Sequence, residues 1–541
     1  MERVLWKTFL NLFPLGKKEG FRINDDSFTP TLSKEKEINA KLSENIEFLQ
    51  EIFHYPTSND IQFRYFEINI NDFNYNALLI FYDGMVDTNL INGYLLKQLM
   101  AKHIVQLDTK SVLKQKNISN LKDIISGEFL SESQVSFAKK YDDLVTSVLH
   151  GDAALLVDTL NTAIICDVKK LPSRSVSKAE NEMNIDGPSE AFIENFRTNT
   201  ALIRKFVKDE NLIFETLEVG NQSKTKCAVA YISTITNDSI INEVKYRINS
   251  LDIDYLIDSG ELMQLIEDKT YLIDPLILST ERPDKVASHL MEGRVAIIVE
   301  GSSNVLVVPA VFSDFTHSSE DSYIRFPYSL LIRLFRFPAI FFSIFLPGLY
   351  IAICNFHQEM IPTDLLFTIA GTREKVPFSM MIELLIMELA FEIIREASIR
   401  TPAPVGPTLG IVGTLILGQA IVSANVVSPI LIIIVALTGI STFSIANFSL
   451  SYGFRIMRFI YIFLGGFAGF FGIAIGIFVH LCAVCSVTSF GVPYLTPLSP
   501  LRKGALKDDL LSSPIWKREY RPVFLKPKKK RTEPKISRKW T

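Results

Sequence analysis

The pattern of apolar and polar residues changes near position 326 of this 541-residue chain. Before that position, short apolar runs alternate with polar ones; residues 61–68, for example, alternate as a half-buried β-strand does. Residues 171–188 interrupt this pattern with Ser, Pro and Gly, which is typical of a linker. The pattern therefore predicts a polar lead at 1–45 followed by two soluble α/β subdomains, at 46–170 and 189–325.

Residues 326–490 form an apolar block with the composition of an all-α, multi-pass membrane domain. Its last stretch is longer than the roughly 20 residues that one crossing needs. We interpret that stretch as one long tilted helix, with a tight hairpin as the alternative. The four candidate spans are residues 334–356, 408–424, 430–448 and 456–487.

A further apolar helix, predicted at 380–399, carries four glutamates. Glu388, Glu392 and Glu396 lie four residues apart and therefore on one helical face, whereas Glu383 falls off that face. Carboxylates in an apolar setting rarely face lipid. Two interpretations stay open. Either the helix lies along the membrane surface with its carboxylates in water and paired with nearby arginines, or the four carboxylates contact ions in an oligomeric cation path.

The distribution of positive charge sets the expected orientation. Residues 502–541 hold 14 Lys/Arg against 4 Asp/Glu, and three arginines at 325, 333 and 336 precede the first span. Because positive segments stay on the cytoplasmic side, both ends of the apolar block are expected there, which needs an even number of crossings. Four crossings satisfy this rule if the glutamate helix lies along the interface or re-enters. That arrangement leaves four arginines on the outer side, namely Arg395, Arg400, Arg455 and Arg458.

Counting the glutamate helix as a fifth crossing would move those arginines inside but export the tail. We therefore expect the basic tail at 491–541 in the cytoplasm, together with the two subdomains and in contact with anionic membrane lipid. Nucleic-acid binding is disfavoured because the tail has no recognisable fold.

Few residues point to chemistry. The sequence has no phosphate loop, zinc pattern or nucleophile–base set, so we predict no catalytic residue, metal site or cofactor and disfavour an enzyme. Cys482 and Cys485 have the spacing of a redox motif but lie in an apolar stretch, so we interpret them as small packing residues. Gln419 and Asn425, in or next to a span, are expected to hydrogen-bond between helices.

Several segments, in the same order along the chain, resemble the A-subunit family of bacterial spore germinant receptors. The matching segments are YDGMVD at 82–87, TERPD at 280–284, EGRVAI at 292–297, MELAFEIIREA at 387–397, GQA at 418–420, VSP at 427–429 and SFGVPY at 489–494. Two loops depart from the family pattern. Asp186 and Ser189 stand where basic residues are expected, and the turn at 302–304 lacks a proline.

The resemblance implies one subunit of a three-part receptor in the inner spore membrane. Its partners would be a transporter-like B subunit, which holds the nutrient, and a lipoprotein C subunit. Copies of the A subunit would form a homo-oligomeric, nutrient-gated cation channel that triggers germination. A non-conducting scaffold that couples the nutrient-binding partner to another effector is the alternative. A solute transporter is disfavoured because the apolar block shows no internal repeat and too few spans.

Overall fold

The structure is a computed structural model. It describes residues 35–70, 73–101, 135–170, 186–400, 418–501 and 518–532, together with the single residues 125, 182, 184 and 514. Most of the predicted lead, most of the linker, the start of the 408–424 span and much of the tail lie outside the described residues.

Subdomain 1 is built around a five-stranded antiparallel sheet with the strand order β1-β2-β4-β5-β3. Apolar clusters cover both faces of this sheet. The strands are β1 (Ile61–Ile70), β2 (Phe73–Tyr82), β3 (Val135–Ala138), β4 (Ala153–Val157) and β5 (Ala163–Cys166), and the helices are α1 (Leu42–Ile52) and α2 (Tyr141–Leu149). A further helical segment spans Thr88–Leu90, Ile91–Leu96 and Lys97–Leu99, with π-helical geometry in its middle part.

Subdomain 2 has a second antiparallel sheet with the order β6-β7-β9-β10-β8. Its strands are β6 (Leu212–Val219), β7 (Thr225–Ile232), β8 (Leu278–Thr280), β9 (Val295–Val299) and β10 (Val305–Val308). Its helices are α3 (Phe196–Phe206), α4 (Asp238–Asn249), α5 (Ser259–Ile266), α6 (Pro283–Glu292) and α7 (Phe312–Thr316).

The two subdomains repeat one topology, which the sequence pattern did not reveal. Each has a helix before its first strand, a hairpin, an intervening helical region, an edge strand, a helix and a second hairpin. The correspondence extends to a helix cap. Asp87 and Asn237 each lie five residues after the second strand ends, and each side chain accepts a hydrogen bond from a backbone N–H of the helix that follows.

A buried ion pair joins the two subdomains. Arg204 on α3 bonds to the Asp60 carboxylate, which lies just before β1, and the Arg204 side chain also donates to the Leu212 carbonyl at 2.9 Å. The guanidinium carbon lies 3.9 Å from the centre of the Tyr82 ring. Because Arg204 and Asp60 are both fully buried, the pair fixes the two sheets relative to each other.

The C-terminal part is helical, as predicted, with α8 (Phe326–Phe356), α9 (Thr363–Arg373), α10 (Met380–Arg400), α11 (Pro429–Phe443) and α12 (Phe448–Cys485). Residues 418–423 are also helical. The first helix starts eight residues earlier than the predicted span because Pro327 favours a helix start. Among the described helices, α8 and α12 are long and apolar enough to cross a membrane.

Helix α12 is a hairpin rather than the single tilted helix that we favoured from the sequence. Its backbone breaks at Gly469, where φ is 58° and ψ is −142°. A Cβ atom on Gly476 would lie 2.9 Å from Cε1 of Tyr461, although a straight helix would separate these residues by about 22 Å. The two arms, 448–468 and 470–485, therefore run antiparallel.

Part of the predicted tail belongs to subdomain 2. A short hairpin of β11 (Thr488–Ser489) and β12 (Val492–Pro493) follows α12, and Phe490 and Val492 pack in the core of subdomain 2. Phe524 and Leu525 are buried in the same core. The described part of the tail is thus packed against protein, which differs from a free arm that contacts lipid.

Candidate functional site

The glutamate helix α10 lies lengthwise in the helical bundle. It runs antiparallel to the first arm of α12, because Met381 packs on Gly466, Glu388 meets Arg458 and Glu392 meets Arg455. From the distribution of charge, this helix was expected to lie along the membrane interface or to re-enter. The sequence pattern contains no signal for these partners on α12, since they are more than 60 residues away.

The outward face of α10 is apolar. Its exposed side chains are Ile382, Ile386, Leu389 and Ile393, spaced three and four residues apart. The carboxylates of Glu383 and Glu388 point inward and are fully buried. An interfacial helix would turn its carboxylates to water and its apolar face to the protein or lipid core, so these two residues have the opposite arrangement.

Glu388 lies at the centre of the bundle. Arg458 donates to Glu388 Oε2 at 2.8 Å, to the Ser343 carbonyl at 2.9 Å and to Thr442 Oγ1 at 2.6 Å. These bonds connect four helices: α8, α10, α11 and α12. Because both ions are buried, removal of either one would leave the other uncompensated.

Glu392 and Glu396 lie towards the end of α10 nearest the soluble subdomains. Glu392 pairs with Arg395 on its own helix and lies 3.4 Å from Arg455 Nη1, with 22% of its side chain exposed. Arg455 also stacks on Tyr452, 4.0 Å from the ring centre. Glu396 is exposed. The sequence analysis expected these glutamates to pair with nearby arginines, and Glu392 does so with Arg395. The side chain of Arg400 lies outside the described part.

Glu383 lies at the opposite end of α10. It accepts a hydrogen bond from the backbone N–H of Ser428, and its Oε2 lies 3.5 Å from Arg373 Nε. Among the described residues, Glu383 Oε2 and Ser428 Oγ have no hydrogen-bond partner. The residue that falls off the predicted ladder is therefore among the most buried of the four.

Sequence reasoning missed Arg458 as a partner of the ladder. Its signal was available, since an arginine within an apolar helix needs a partner inside the bundle. Arg455 and Arg458 had been counted as outer-side charges in the orientation argument. Both arginine side chains form hydrogen bonds within the bundle. They are therefore not loop charges and do not bear on the orientation of the helices.

The remaining candidate residues lie at the surface of the chain. Gln419 and Asn425 are exposed, so the described residues do not form the predicted contacts between helices. Asn425 has a φ of 53°, a conformation that ends a helix. Cys482 and Cys485 are exposed, so their interpretation as packing residues was wrong. Within the described ranges, no group of three or more His, Cys, Asp or Glu side chains could hold a metal ion.

Comparison with known proteins identifies the family. A family model described as Bacillus/Clostridium GerA spore germination protein matches residues 47–524, which include both subdomains and the helical bundle. The chain belongs to this family. A role in spore germination follows from this membership.

Individual relatives agree with the family model. Spore germination protein KA of Bacillus subtilis is 39% identical over 86% of this chain and 84% of its own length. The membrane protein YfkQ of Bacillus subtilis, itself uncharacterized, is 35% identical over 91% of this chain and 92% of its own length. A crystal structure of the N-terminal domain of the A subunit of the Bacillus megaterium spore germinant receptor GerK3 is 34% identical. The match covers 51% of this chain and 98% of the crystallised chain, with a TM-score of 0.39.

Proposed function

We propose that this chain is the A subunit of a nutrient germinant receptor and that its copies form a cation channel in the inner spore membrane. Nutrient bound by a transporter-like B subunit would open the channel, and a lipoprotein C subunit would complete the receptor. The observation that carries the proposal is the row of carboxylates of α10 inside the bundle, with Glu388 held by Arg458.

The arginines bear on the state of the channel. Arg373, Arg458 and Arg455 meet Glu383, Glu388 and Glu392 in turn, so these carboxylates are neutralised along the helix. A path lined by paired charges offers a cation little attraction, so we infer that this conformation is closed. Opening would separate Arg458 from Glu388 and expose the carboxylates, which favour cations over anions. The nutrient-bound partner must favour that open state by differential affinity.

The directions of the helices support an even number of crossings. Helix α8 runs parallel to the first arm of α12, because Ser343, Gly348 and Phe356 meet Arg458, Gly465 and Gly469 in that order. If the span expected from the sequence at 408–424, of which the structure describes residues 418–423, is counted with α8, α10, α11 and the two arms of α12, we infer six crossings. The soluble subdomains and the tail would then share the cytoplasmic side.

Conductance measurements test the proposal. The complete receptor in planar bilayers is expected to conduct cations when nutrient is added. Glu388→Gln and Glu392→Gln should lower the ratio of cation to anion permeability several-fold, because each removes a negative charge from the path. Glu374→Gln, at an exposed position beyond α9, is the matched control and should leave the ratio unchanged. An unchanged permeability ratio in correctly assembled Glu388→Gln and Glu392→Gln receptors would rule out a pore role for the ladder.

A non-conducting scaffold is the second candidate function. The observation that favours it is the complete burial of Glu383 and Glu388, which is typical of polar groups that fix helix packing. In that case the receptor would stay electrically silent both at rest and with nutrient, while the same assembly still restores germination to spores that lack the subunit.

A further inference from the structure

The apolar core of subdomain 2 continues into the helical bundle. One cluster of buried side chains includes Leu276 and Phe315 of the soluble part and Tyr461 and Val484 of the hairpin. Gly453 lies so close to the soluble part that a Cβ atom on it would sit 2.8 Å from the Ile273 carbonyl oxygen. A movement of the hairpin must therefore either carry subdomain 2 with it or break this apolar contact between the two, which we call the seam.

The loop before β8 holds the end of the returning arm through polar contacts. The Asp268 carboxylate accepts a hydrogen bond from the Phe490 N–H at 2.9 Å, and Lys269 Nζ lies 3.3 Å from Ser486 Oγ. Ser489 Oγ donates to the Leu276 carbonyl at 2.8 Å. These bonds fix the segment just after the hairpin, so the seam has its own polar attachment.

One contact of the seam joins two titratable groups. His480 Nε2 on the returning arm lies 3.7 Å from Asp274 Oδ2, with 25% and 3% of the two side chains exposed. Asp274 Oδ2 is buried and has no hydrogen-bond partner among the described residues. Burial raises the pKa of Asp274, and the charge of His480 opposes this shift. The imidazole, when it is protonated, is thus placed to compensate this carboxylate.

We propose that Asp274 and His480 form a protonation-dependent clamp that holds the returning arm of the hairpin against subdomain 2. With His480 protonated at both ring nitrogens, the imidazolium compensates the buried carboxylate. When a proton leaves the imidazole for solvent, the carboxylate stays buried without a counter-charge, which is costly, so the seam loosens. The clamp is a property of this chain and does not depend on ion conduction.

The surrounding groups leave this role to His480. Among the described residues, the titratable side chains near the pair include Tyr461 on the first arm, Tyr494 after β12, and Asp268 and Lys269 in the loop. The tyrosines are neutral near pH 7 and carry no compensating charge. Asp268 is engaged by the Phe490 N–H and by Arg247, and Lys269 by Ser486. Asp314, which also acts on Tyr494, is paired with Arg294.

Hydrogen exchange of the full chain in lipid nanodiscs, at pH 5.5 and pH 8 and corrected for intrinsic exchange, tests the clamp. Protection of residues 267–276 and 480–490 is expected to be at least about fivefold lower at pH 8, in line with typical coupling energies. His480→Gln should be less protected than the wild type at pH 5.5, because the counter-charge of Asp274 is lost, and His480→Lys should be highly protected at both pH values. His357→Gln is the matched control, since His357 stacks on Phe470 at the other end of the same arm and should leave the response intact.

Asp274→Asn keeps the test decisive if His480→Gln fails to fold. The amide carries no charge at either pH, so protection in this variant should no longer depend on pH. If hydrogen-exchange protection in Asp274→Asn or in His480→Gln depends on pH as strongly as it does in the wild type, the clamp is overturned. It is also overturned if protection of the seam in the wild-type protein does not change with pH. Loss of conduction with an intact pH response would count against the channel and leave the clamp standing.

Discussion

At the scale of single residues, three of the buried arginines in the described part of the chain illustrate pairing with a carboxylate from another part of the fold. The pairs are Arg204 with Asp60, Arg294 with Asp314 and Arg458 with Glu388. Each pair joins segments that are between 20 and 144 residues apart in sequence. Such pairs add little net stability over apolar packing but are costly to break, so they specify which segments meet.

The stability lost when the buried Arg204–Asp60 pair is broken can be compared with that lost at an exposed ion pair of the same chain. Arg204→Ala leaves Asp60 buried without a counter-charge and should cost about 3–5 kcal/mol. Arg197→Ala is the matched control. Its pair with Asp83 also crosses the subdomain boundary, but 38% and 31% of the two side chains are exposed, so the cost should be about 0–1 kcal/mol.

Hydrogen exchange of β1 and β6 in the full chain measures both variants. The expected loss of protection with Arg204→Ala is roughly a hundredfold or more, since each 1.4 kcal/mol is about tenfold. Equal protection in Arg204→Ala and Arg197→Ala would show that the buried pair does not hold the subdomains together.

Part of the candidate site was predictable from single residues and their spacing along the chain. Helical spacing alone placed Glu388, Glu392 and Glu396 on one face, because this periodicity is local. The identity of their partners was not predictable, because Arg458 reaches Glu388 across 70 residues of sequence. The burial of Glu383 was not predictable for a related reason. Its environment is set by Ser428 and Arg373 from neighbouring helices rather than by its position on α10.

At the scale of elements, the apolar pattern located the strands and helices but not their turns. The change near residue 326 and the strand at 61–68 both appear in the structure, with helix α8 and strand β1 at those places. The hairpin in α12 was only an alternative, because the reversal depends on one residue. Gly469 has a backbone conformation that side-chain-bearing residues adopt only with strain, and apolar periodicity does not record it.

The hairpin can be tested with a pair of introduced cysteines. A Cβ atom on Gly476 would lie 2.6 Å from Leu464 Cδ1, so Leu464→Cys and Gly476→Cys should react with one short crosslinker in a background with Cys482 and Cys485 replaced. In a straight helix these positions would be about 18 Å apart and would not react together. Absence of the crosslink would therefore contradict the hairpin.

Adding Gly469→Ala to that pair should reduce the crosslink yield, because a non-glycine residue in this conformation costs of order 1–3 kcal/mol. Gly371→Ala on α9 is the control. Nothing lies within 4 Å of a Cβ atom there and no unusual backbone angle is involved, so the yield should stay the same.

At the scale of the whole molecule, the chain returns to its soluble part after the bundle. The duplicated sheets come first, the helices follow, and residues 488–493 and 521–525 then pack back on subdomain 2. Charge composition predicted a basic tail in contact with anionic lipid, because composition records net charge and contains no information on packing against protein. Arg521, for example, donates to the Met291 carbonyl at the end of α6 and to the Arg531 carbonyl of its own segment. The tail therefore ties the end of the chain to the subdomain that carries the seam with the hairpin.

Truncation of one tail side chain distinguishes this docking from lipid binding. Phe524→Ala removes a buried ring from the core of subdomain 2 and should cost about 3–5 kcal/mol, seen as a loss of hydrogen-exchange protection in β6, β7 and β9 of the full chain. Val523→Ala, at the adjacent position with its side chain exposed, should change that protection by no more than about 0.5 kcal/mol. If the tail serves only as an arm for anionic lipid, both variants will leave the protection of the sheet unchanged, because neither alters a positive charge. A large effect of Phe524→Ala alone, with unchanged binding to anionic vesicles, would establish the tail as a part of subdomain 2. Any signal that shifts this subdomain would then act on the tail and the hairpin together.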